Sequence, residues 1–227
     1  MGGFQYPFSF SFREDYDFAS FLPGDANQPA LAYLRGFAAN TDPFCLVWGA
    51  EGSGKTHLLQ ALCRAAPQGL YLPLRQLREY GAEVLDGLAG QPLLVMDDLD
   101  AVAGEPAWEE RLFQLCNAAL AQATKLCVSS SLPLLGMPLA LADLRSRLQL
   151  AVAFELHQPD DATRAALLRQ LALRRGMQLR DDVVDYLLNR HQRDPAALLA
   201  VLERLDASSL AGQRRLTIPF IKQTLGW

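Results

Sequence analysis

The chain has no apolar run of about 18 residues, the length a membrane-spanning helix needs. Its N-terminus also lacks the basic stretch followed by an aliphatic stretch that marks a secretory signal. A cytoplasmic protein with no membrane partner is the expectation. Cysteine is scarce: Cys45, Cys63, Cys116 and Cys127 show no CxxC spacing and lie inside apolar runs, which fits small buried residues in a reducing compartment and argues against zinc. His57, His157 and His191 are isolated and form no HExxH pattern, so a metal held by protein side chains alone is not expected. There is no low-complexity segment and no internal repeat. Of the 227 residues, 50% are apolar and 20% charged, a composition that excludes a disordered or collagen-like chain.

Charge of one sign is also weak, but unevenly spread. Residues 1–157 hold 10 Lys and Arg against 17 Asp and Glu, a net of -7, while residues 158–227 hold 11 against 8, a net of +3. Three net positive charges on the tail are a weak signal for an anionic partner. What the sequence has in excess is aromatics near its start, with eight of the 20 before residue 22. Phe4, Tyr6, Phe8, Phe10 and Phe12 alternate with Gln5, Pro7, Ser9 and Ser11, so one face of an extended segment is wholly aromatic. Two readings stand for this arm: an edge strand on its own domain, or a peptide offered to a partner. Pro7 argues only against a central strand.

Beyond Pro29, short apolar runs at Phe44–Trp48, Leu70–Leu74, Leu93–Met96, Leu126–Ser129 and Ala151–Leu156 are separated by segments long enough for crossover helices. They predict an α/β fold with a five-stranded parallel sheet. From Pro159 onward the helix signals take over: Asp160 and Asp161 at one N-terminus, Gly176 after an Arg-rich last turn, and Asp181 with Asp182 opening another helix. The expected division is an arm at 1–15, an α/β core at 16–157 and an all-helical subdomain at 158–227.

Gly49-Ala50-Glu51-Gly52-Ser53-Gly54-Lys55-Thr56 satisfies GxxxxGK[ST] between a strand and an amphipathic helix. Glycines there let backbone N–H groups and a helix N-terminus face phosphates; Lys55 reaches the terminal phosphates and Thr56 ligates Mg²⁺. The cofactor expected is therefore ATP or ADP with Mg²⁺. A second acidic element should close a neighbouring strand, and Leu93-Leu94-Val95-Met96-Asp97-Asp98 provides it: Asp97 for the metal, Asp98 to orient the attacking water. Val128-Ser129-Ser130-Ser131 ends another strand with hydroxyls; Ser130 is the candidate to sense the terminal phosphate, with a turn-forming role as the alternative. Asp143-Leu144-Arg145-Ser146-Arg147-Leu148 puts two arginines at the end of a short helix. They either complement the helix C-terminus, or Arg147 reaches the nucleotide of a neighbouring molecule, where such a cation raises hydrolysis about 10³- to 10⁵-fold.

Together these elements resemble an AAA+ ATPase of the DnaA initiator family, from about Tyr16 to Trp227. The resemblance implies that the core is an AAA+ P-loop domain and the tail its helical lid. It also implies that Phe18 and Phe21, in Phe18-Ala19-Ser20-Phe21-Leu22-Pro23-Gly24, contact adenine, that His57 adjoins the nucleotide, and that Ser146-Arg147-Leu148 is an arginine-finger box. The chain ends after the lid with no room for the initiator's DNA-binding domain, and the implied function is that of the family's shorter regulators. These stimulate ATP hydrolysis by DnaA, with the DNA-loaded polymerase III β sliding clamp as second partner, and so inactivate the initiator. Gln5, Tyr6, Phe8 and Phe10 occupy the place of the clamp-binding peptide, with aromatics where leucines are usual; DNA is reached mainly through the clamp. A lid sensor arginine is replaced by Ala196, with Arg193 nearby, which together with the short Asp98 implies weak intrinsic ATPase. Pairing of two copies is a further expectation. The alternatives are an autonomous ATPase or helicase-loading motor, and a DNA-binding module using Arg174, Arg175, Arg214 and Arg215.

Overall fold

The computed structural model describes residues 12, 13, 15–190, 200–202, 204, 205 and 216–227. Among them, Gly24–Gly36 (α1), Phe44–Trp48 (β1), Lys55–Ala65 (α2), Gly69–Pro73 (β2), Leu74–Leu77 (α3) and Leu93–Asp97 (β3) are followed by Pro106–Gln122 (α4), Lys125–Ser130 (β4), Ala142–Leu148 (α5) and Val152–Glu155 (β5). The five strands form one parallel sheet in the order β2-β3-β4-β1-β5. The apolar runs predicted from sequence thus fall on the strands, with ends shifted by a residue or so.

Alternation along each strand sends neighbouring side chains to opposite faces, and both faces are covered. Phe44, Leu46, Leu94, Met96, Leu126 and Val128 join Trp108, Leu112 and Leu144 in one buried cluster. Cys45, Val47, Leu93, Val95 and Cys127 join Leu34, Phe37, Leu58 and Leu62 in the other. Burial on two faces is why the central strands read as continuous apolar runs. β5, at the sheet edge, alternates half-buried with exposed residues. The four cysteines are buried free thiols.

The chain divides into two compact units: the described residues up to Phe21 with Asn27–His157, and Leu22–Ala26 with Gln158–Trp227. The short Leu22–Ala26 excursion into the helical unit had no sign in the sequence. That unit contains Asp161–Arg174 (α6), Asp181–Arg190 (α7) and a last helix Ile218–Leu225. Asp160 caps α6, accepting from the Thr163 N–H at 2.7 Å. Leu168, Ala172, Val183, Leu187, Leu202, Leu205 and Ile221 make the unit's own core. No helix among the described residues is long and apolar enough to cross a membrane.

Parallel strands all end on one edge of the sheet, and a chain that turns from β1 across to edge strand β2 leaves a crevice there. Trp48, Asp97 and Ser130 are the terminal residues of β1, β3 and β4. The phosphate-loop motif, the acidic pair and the serines therefore converge by topology.

Candidate functional site

The loop Gly49–Gly54 links β1 to α2 and is fixed at both ends. The Gly49 N–H donates to the Ser130 carbonyl at 3.1 Å. A Cβ on Gly49 would lie 2.2 Å from the Leu156 carbonyl oxygen. Gly54, at φ +96, is the left-handed residue before the first turn of α2, and a Cβ there would lie 2.6 Å from the Phe21 ring. Lys55 is buried, its Nζ donating to the Gly49 carbonyl at 2.7 Å and the Ala50 carbonyl at 3.1 Å. Burial lowers its pKa, partly offset by Asp98, Asp97, Asp100 and Glu51. Ser53 Oγ is buried with no hydrogen-bond partner among the described residues, while Glu51 and Thr56 are exposed at the loop's start and end. A loop with backbone too crowded for side chains, a cation resting on its own carbonyls and an orphaned hydroxyl is a cradle that suits a polyphosphate.

Asp97 is 3% exposed and both its oxygens are engaged. Tyr71 Oη, from β2, donates to Oδ2 at 2.7 Å, and Ser129 Oγ, from β4, donates to Oδ1. Burial and the carboxylate beside it push the Tyr71 phenol well above its ordinary pKa. Ser129 Oγ also accepts the Asp98 N–H at 2.9 Å, so one hydroxyl ties the two aspartates together. Asp98 is in the left-handed region at φ 59. Its Oδ2 pairs with Arg75 Nε at 2.9 Å, and that hydrogen bond raises the Arg75 pKa. Thr56, Tyr71, Arg75, Asp97 and Asp98 line a cavity of about 280 Å³. No group of three or more His, Cys, Asp or Glu able to hold a metal exists among the described residues. A Mg²⁺ here fits Thr56 and Asp97 on the protein side, with phosphate and water supplying the other ligands.

Several sequence expectations take a different form. Ser130 is buried, but its Oγ accepts the Leu132 N–H at 3.0 Å and so shapes the turn after β4, while Ser129 is the serine that meets the acidic pair. His57, on the first turn of α2, faces the leading segment: it stacks on Tyr16 at 4.4 Å, meets the edge of Phe21 at 5.3 Å and lies 3.1 Å from Ser20 Oγ. Phe18 and Phe21 are half-buried against the core cluster beneath α2, and Phe21 covers Gly54. Asp98 lies beside Asp97, and its carboxylate is in an ion pair with Arg75. The residues missed were Tyr71, Arg75 and Gln60, each polar but isolated in the sequence, and within Ser129-Ser130-Ser131 the choice fell on Ser130 where Ser129 is the one that meets Asp97.

The arginines of α5 part company. Arg145 reaches back to the carbonyls of Leu134 at 3.1 Å, Met137 at 3.3 Å and Leu139 at 2.8 Å. Arg147, two residues on, points to another side of the helix. It is half-buried, and its side chain makes no hydrogen bond or ion pair among the described residues. Burial pushes the Cys116 thiol of α4 up to about 12, while the Arg147 charge pulls it down. The start of α5 is held by Glu109, which is 1% exposed and accepts the N–H groups of Gly104 at 2.7 Å, Ala140 at 3.0 Å and Leu141 at 2.6 Å. Gln5, Tyr6, Phe8, Phe10, Arg193, Ala196, Arg214 and Arg215 lie outside the described residues.

Family comparisons match residues 161–225 to the model "Hda, lid domain", residues 12–70 to "Bacterial DnaA ATPAse domain" and residues 45–129 to "RNA helicase". Domain III of the Thermotoga maritima replication initiation protein DnaA superposes with a TM-score of 0.82 at 18% identity, covering 96% of this chain and 98% of that one. AMPPCP-bound DnaA from Aquifex aeolicus gives 0.70 at 20% identity, covering 88% and 67%. RuvB from Thermotoga maritima gives 0.64 at 17% identity, covering 87% and 65%. At these identities the structures establish the AAA+ fold, and the two family models at the chain's ends narrow it further. The lid and the leading P-loop segment point the same way: the chain is similar to Hda over its lid and to DnaA over its leading segment, on the fold of DnaA domain III.

Proposed function

We propose that this protein binds ADP or ATP with Mg²⁺ and uses Arg147 to complete the nucleotide site of ATP-bound DnaA, stimulating hydrolysis and switching the initiator off. The observation that carries this reading is the asymmetry of α5: Arg145 is spent on three carbonyls, and Arg147 makes no side-chain hydrogen bond or ion pair among the described residues. A guanidinium with no hydrogen bond or ion pair among the described residues, on a helix whose start is held by a buried carboxylate, is a cation available to another molecule. Supplied to a transferring phosphoryl group, it stabilises charge that develops in the transition state.

The protein's own nucleotide has a different part. Lys55 and the loop N–H groups hold its phosphates, Thr56 and Asp97 its metal, and Phe18 and Phe21 its base; bound Mg²⁺ would neutralise phosphate charge and order the site. Asp98 is held by Arg75, which keeps the water-orienting carboxylate away from that task and supports weak turnover by the isolated chain. Gln5, Tyr6, Phe8 and Phe10 are the proposed contact with the sliding clamp, which would bring the regulator to DNA at the replisome. The intact pairing of a phosphate loop with Asp97 and Asp98 favours one second reading, an autonomous motor of the helicase-loader kind. ATP turnover by the isolated protein separates them: a motor turns over substantially alone, a regulator hardly at all. The direct test is hydrolysis of DnaA-bound ATP with clamp-loaded DNA. Removing residues 1–12 should abolish stimulation by loss of recruitment; full stimulation by that truncation refutes the clamp assignment.

A further inference from the structure

One side chain of the core touches both the candidate metal carboxylate and the first described residue of the N-terminal arm. Tyr71 stands in β2, 26 residues before Asp97, and its hydroxyl holds Asp97 Oδ2 at 2.7 Å. Its ring lies 5.5 Å from the Phe12 ring, inclined at 52°. Buried Gln60 of α2 anchors the same root, accepting the Arg13 N–H at 3.1 Å, and it lines one cavity with Tyr71 and Asp97. Arg64 completes the anchor, donating to the Arg13 carbonyl at 2.9 Å. The cavity of about 280 Å³ lined by Thr56 and Asp97 is lined by Arg13 and Tyr16 as well. The root of the arm is therefore a wall of the metal chamber.

We propose that Tyr71 is a positioning residue that ties Asp97 to the root of the N-terminal arm, so that Mg²⁺–nucleotide occupancy and the anchoring of Phe12 and Arg13 are one linked equilibrium. The proposal rests on the reading that Asp97 serves the metal. Asp97 accepts hydroxyl protons on both oxygens, from β2 and from β4. A metal or metal-bound water drawing on the same lone pairs weakens or re-aims those bonds, and only the β2 hydroxyl belongs to a ring that also packs on the arm. A change at Asp97 therefore has a path of two contacts to Phe12. Coupling of this kind is reciprocal: whatever the metal does to the root, a partner that pulls on the arm does to metal affinity, by the same factor.

The test is hydrogen exchange at residues 12–16 of the full chain, read with ADP plus EDTA and with ADP plus Mg²⁺, alongside ADP affinity under both conditions. In the wild type, Mg²⁺ should change exchange at the root by ~5-fold or more, the lower end of ordinary coupling. Tyr71→Phe, which removes only the hydroxyl, should erase that difference and reduce the strengthening of ADP binding by Mg²⁺. Phe12→Ala, outside the binding machinery and at an exposed position, should erase the exchange response while leaving Mg²⁺-free ADP affinity within about twofold, and it guards against a folding defect in the first variant. A Mg²⁺ response that persists in both variants, or is absent from the wild type, overturns the proposal. Failure of Mg²⁺ to affect wild-type ADP affinity overturns the metal reading itself and the proposal with it.

Discussion

Replacing Arg145 and Arg147 by alanine, one at a time, should give opposite results although the two residues stand in one turn of α5. Arg145 donates to three carbonyls at 2.8–3.3 Å, and two of them belong to the buried residues Met137 and Leu139. A hydrogen bond from a charged donor contributes ~1.5–3 kcal/mol. The guanidinium is half-buried and its contact with Met137 is long, so the three together contribute about 2–3 kcal/mol rather than their sum. A chain of this size loses roughly 2–4 °C of Tm per kcal/mol. Arg145→Ala should therefore lower Tm by about 4–12 °C and loosen the loop after β4. Arg147 has no such bonds among the described residues, and its removal belongs with surface changes of under ~0.5 kcal/mol, a Tm shift of about 2 °C or less. Thermal unfolding of both variants with ADP present at a fixed excess reads the difference. An Arg147→Ala loss as large as that of Arg145→Ala refutes the reasoning, because it would make Arg147 a structural tie.

Arg75→Ala removes the partner of Asp98. The pair is largely solvent-exposed, at 63% and 28%, so stability should fall by less than ~1 kcal/mol, while ATP turnover by the isolated protein should rise as the carboxylate is released; unchanged turnover argues against the restraint. Burial pushes the Glu109 pKa up, but the N–H groups of Leu141, Ala140 and Gly104 and the Arg145 charge outweigh it and hold the carboxyl below its ordinary value. Its stabilisation is thus complete above the unfolded pKa of ~4.3 and is lost as pH falls through the lower folded value. Glu109→Gln should destabilise the protein at pH 7 and show less further loss than wild type between pH 5 and 3, measured by urea unfolding; parallel pH curves contradict this. Gly54→Ala forces a side chain into the left-handed region, which costs ~1–2 kcal/mol, and into the Phe21 ring 2.6 Å away. ADP affinity should fall at least tenfold by calorimetry, and wild-type affinity would show that the loop tolerates the displacement.

The parts of the site that lie close together along the chain were legible in the sequence. A phosphate loop is eight consecutive residues, and its flanking strand and helix announce themselves by composition; the same holds for Asp97-Asp98 and for the Asp160 cap. The residues around Asp97 were not legible, because they meet it only through strand order. Tyr71 and Ser129 stand 26 residues before and 32 after Asp97, and a parallel β2-β3-β4 arrangement is what brings them to its two oxygens. Ser130 looked equivalent to Ser129, and only strand alternation, which turns successive side chains to opposite faces, separates them. Glu109 reads as an ordinary acid on a helix surface until α5 is packed above it. Arg145 and Arg147 differ by two residues, which on a helix is enough to face one inward to a loop and leave the other without a hydrogen bond among the described residues, and no local pattern says which.

The central claim is that Arg147 acts on a phosphate held by another molecule. The most direct measurement is single-turnover phosphate release from ATP pre-bound to DnaA, with clamp-loaded DNA and either wild-type protein, Arg147→Ala or Arg147→Lys. The account predicts that Arg147→Ala returns the rate to that of DnaA alone with ADP and clamp binding intact. Arg147→Lys should recover only a small part, since a point charge does not reproduce the planar fork. Stimulation by Arg147→Ala within about threefold of wild type would contradict the account.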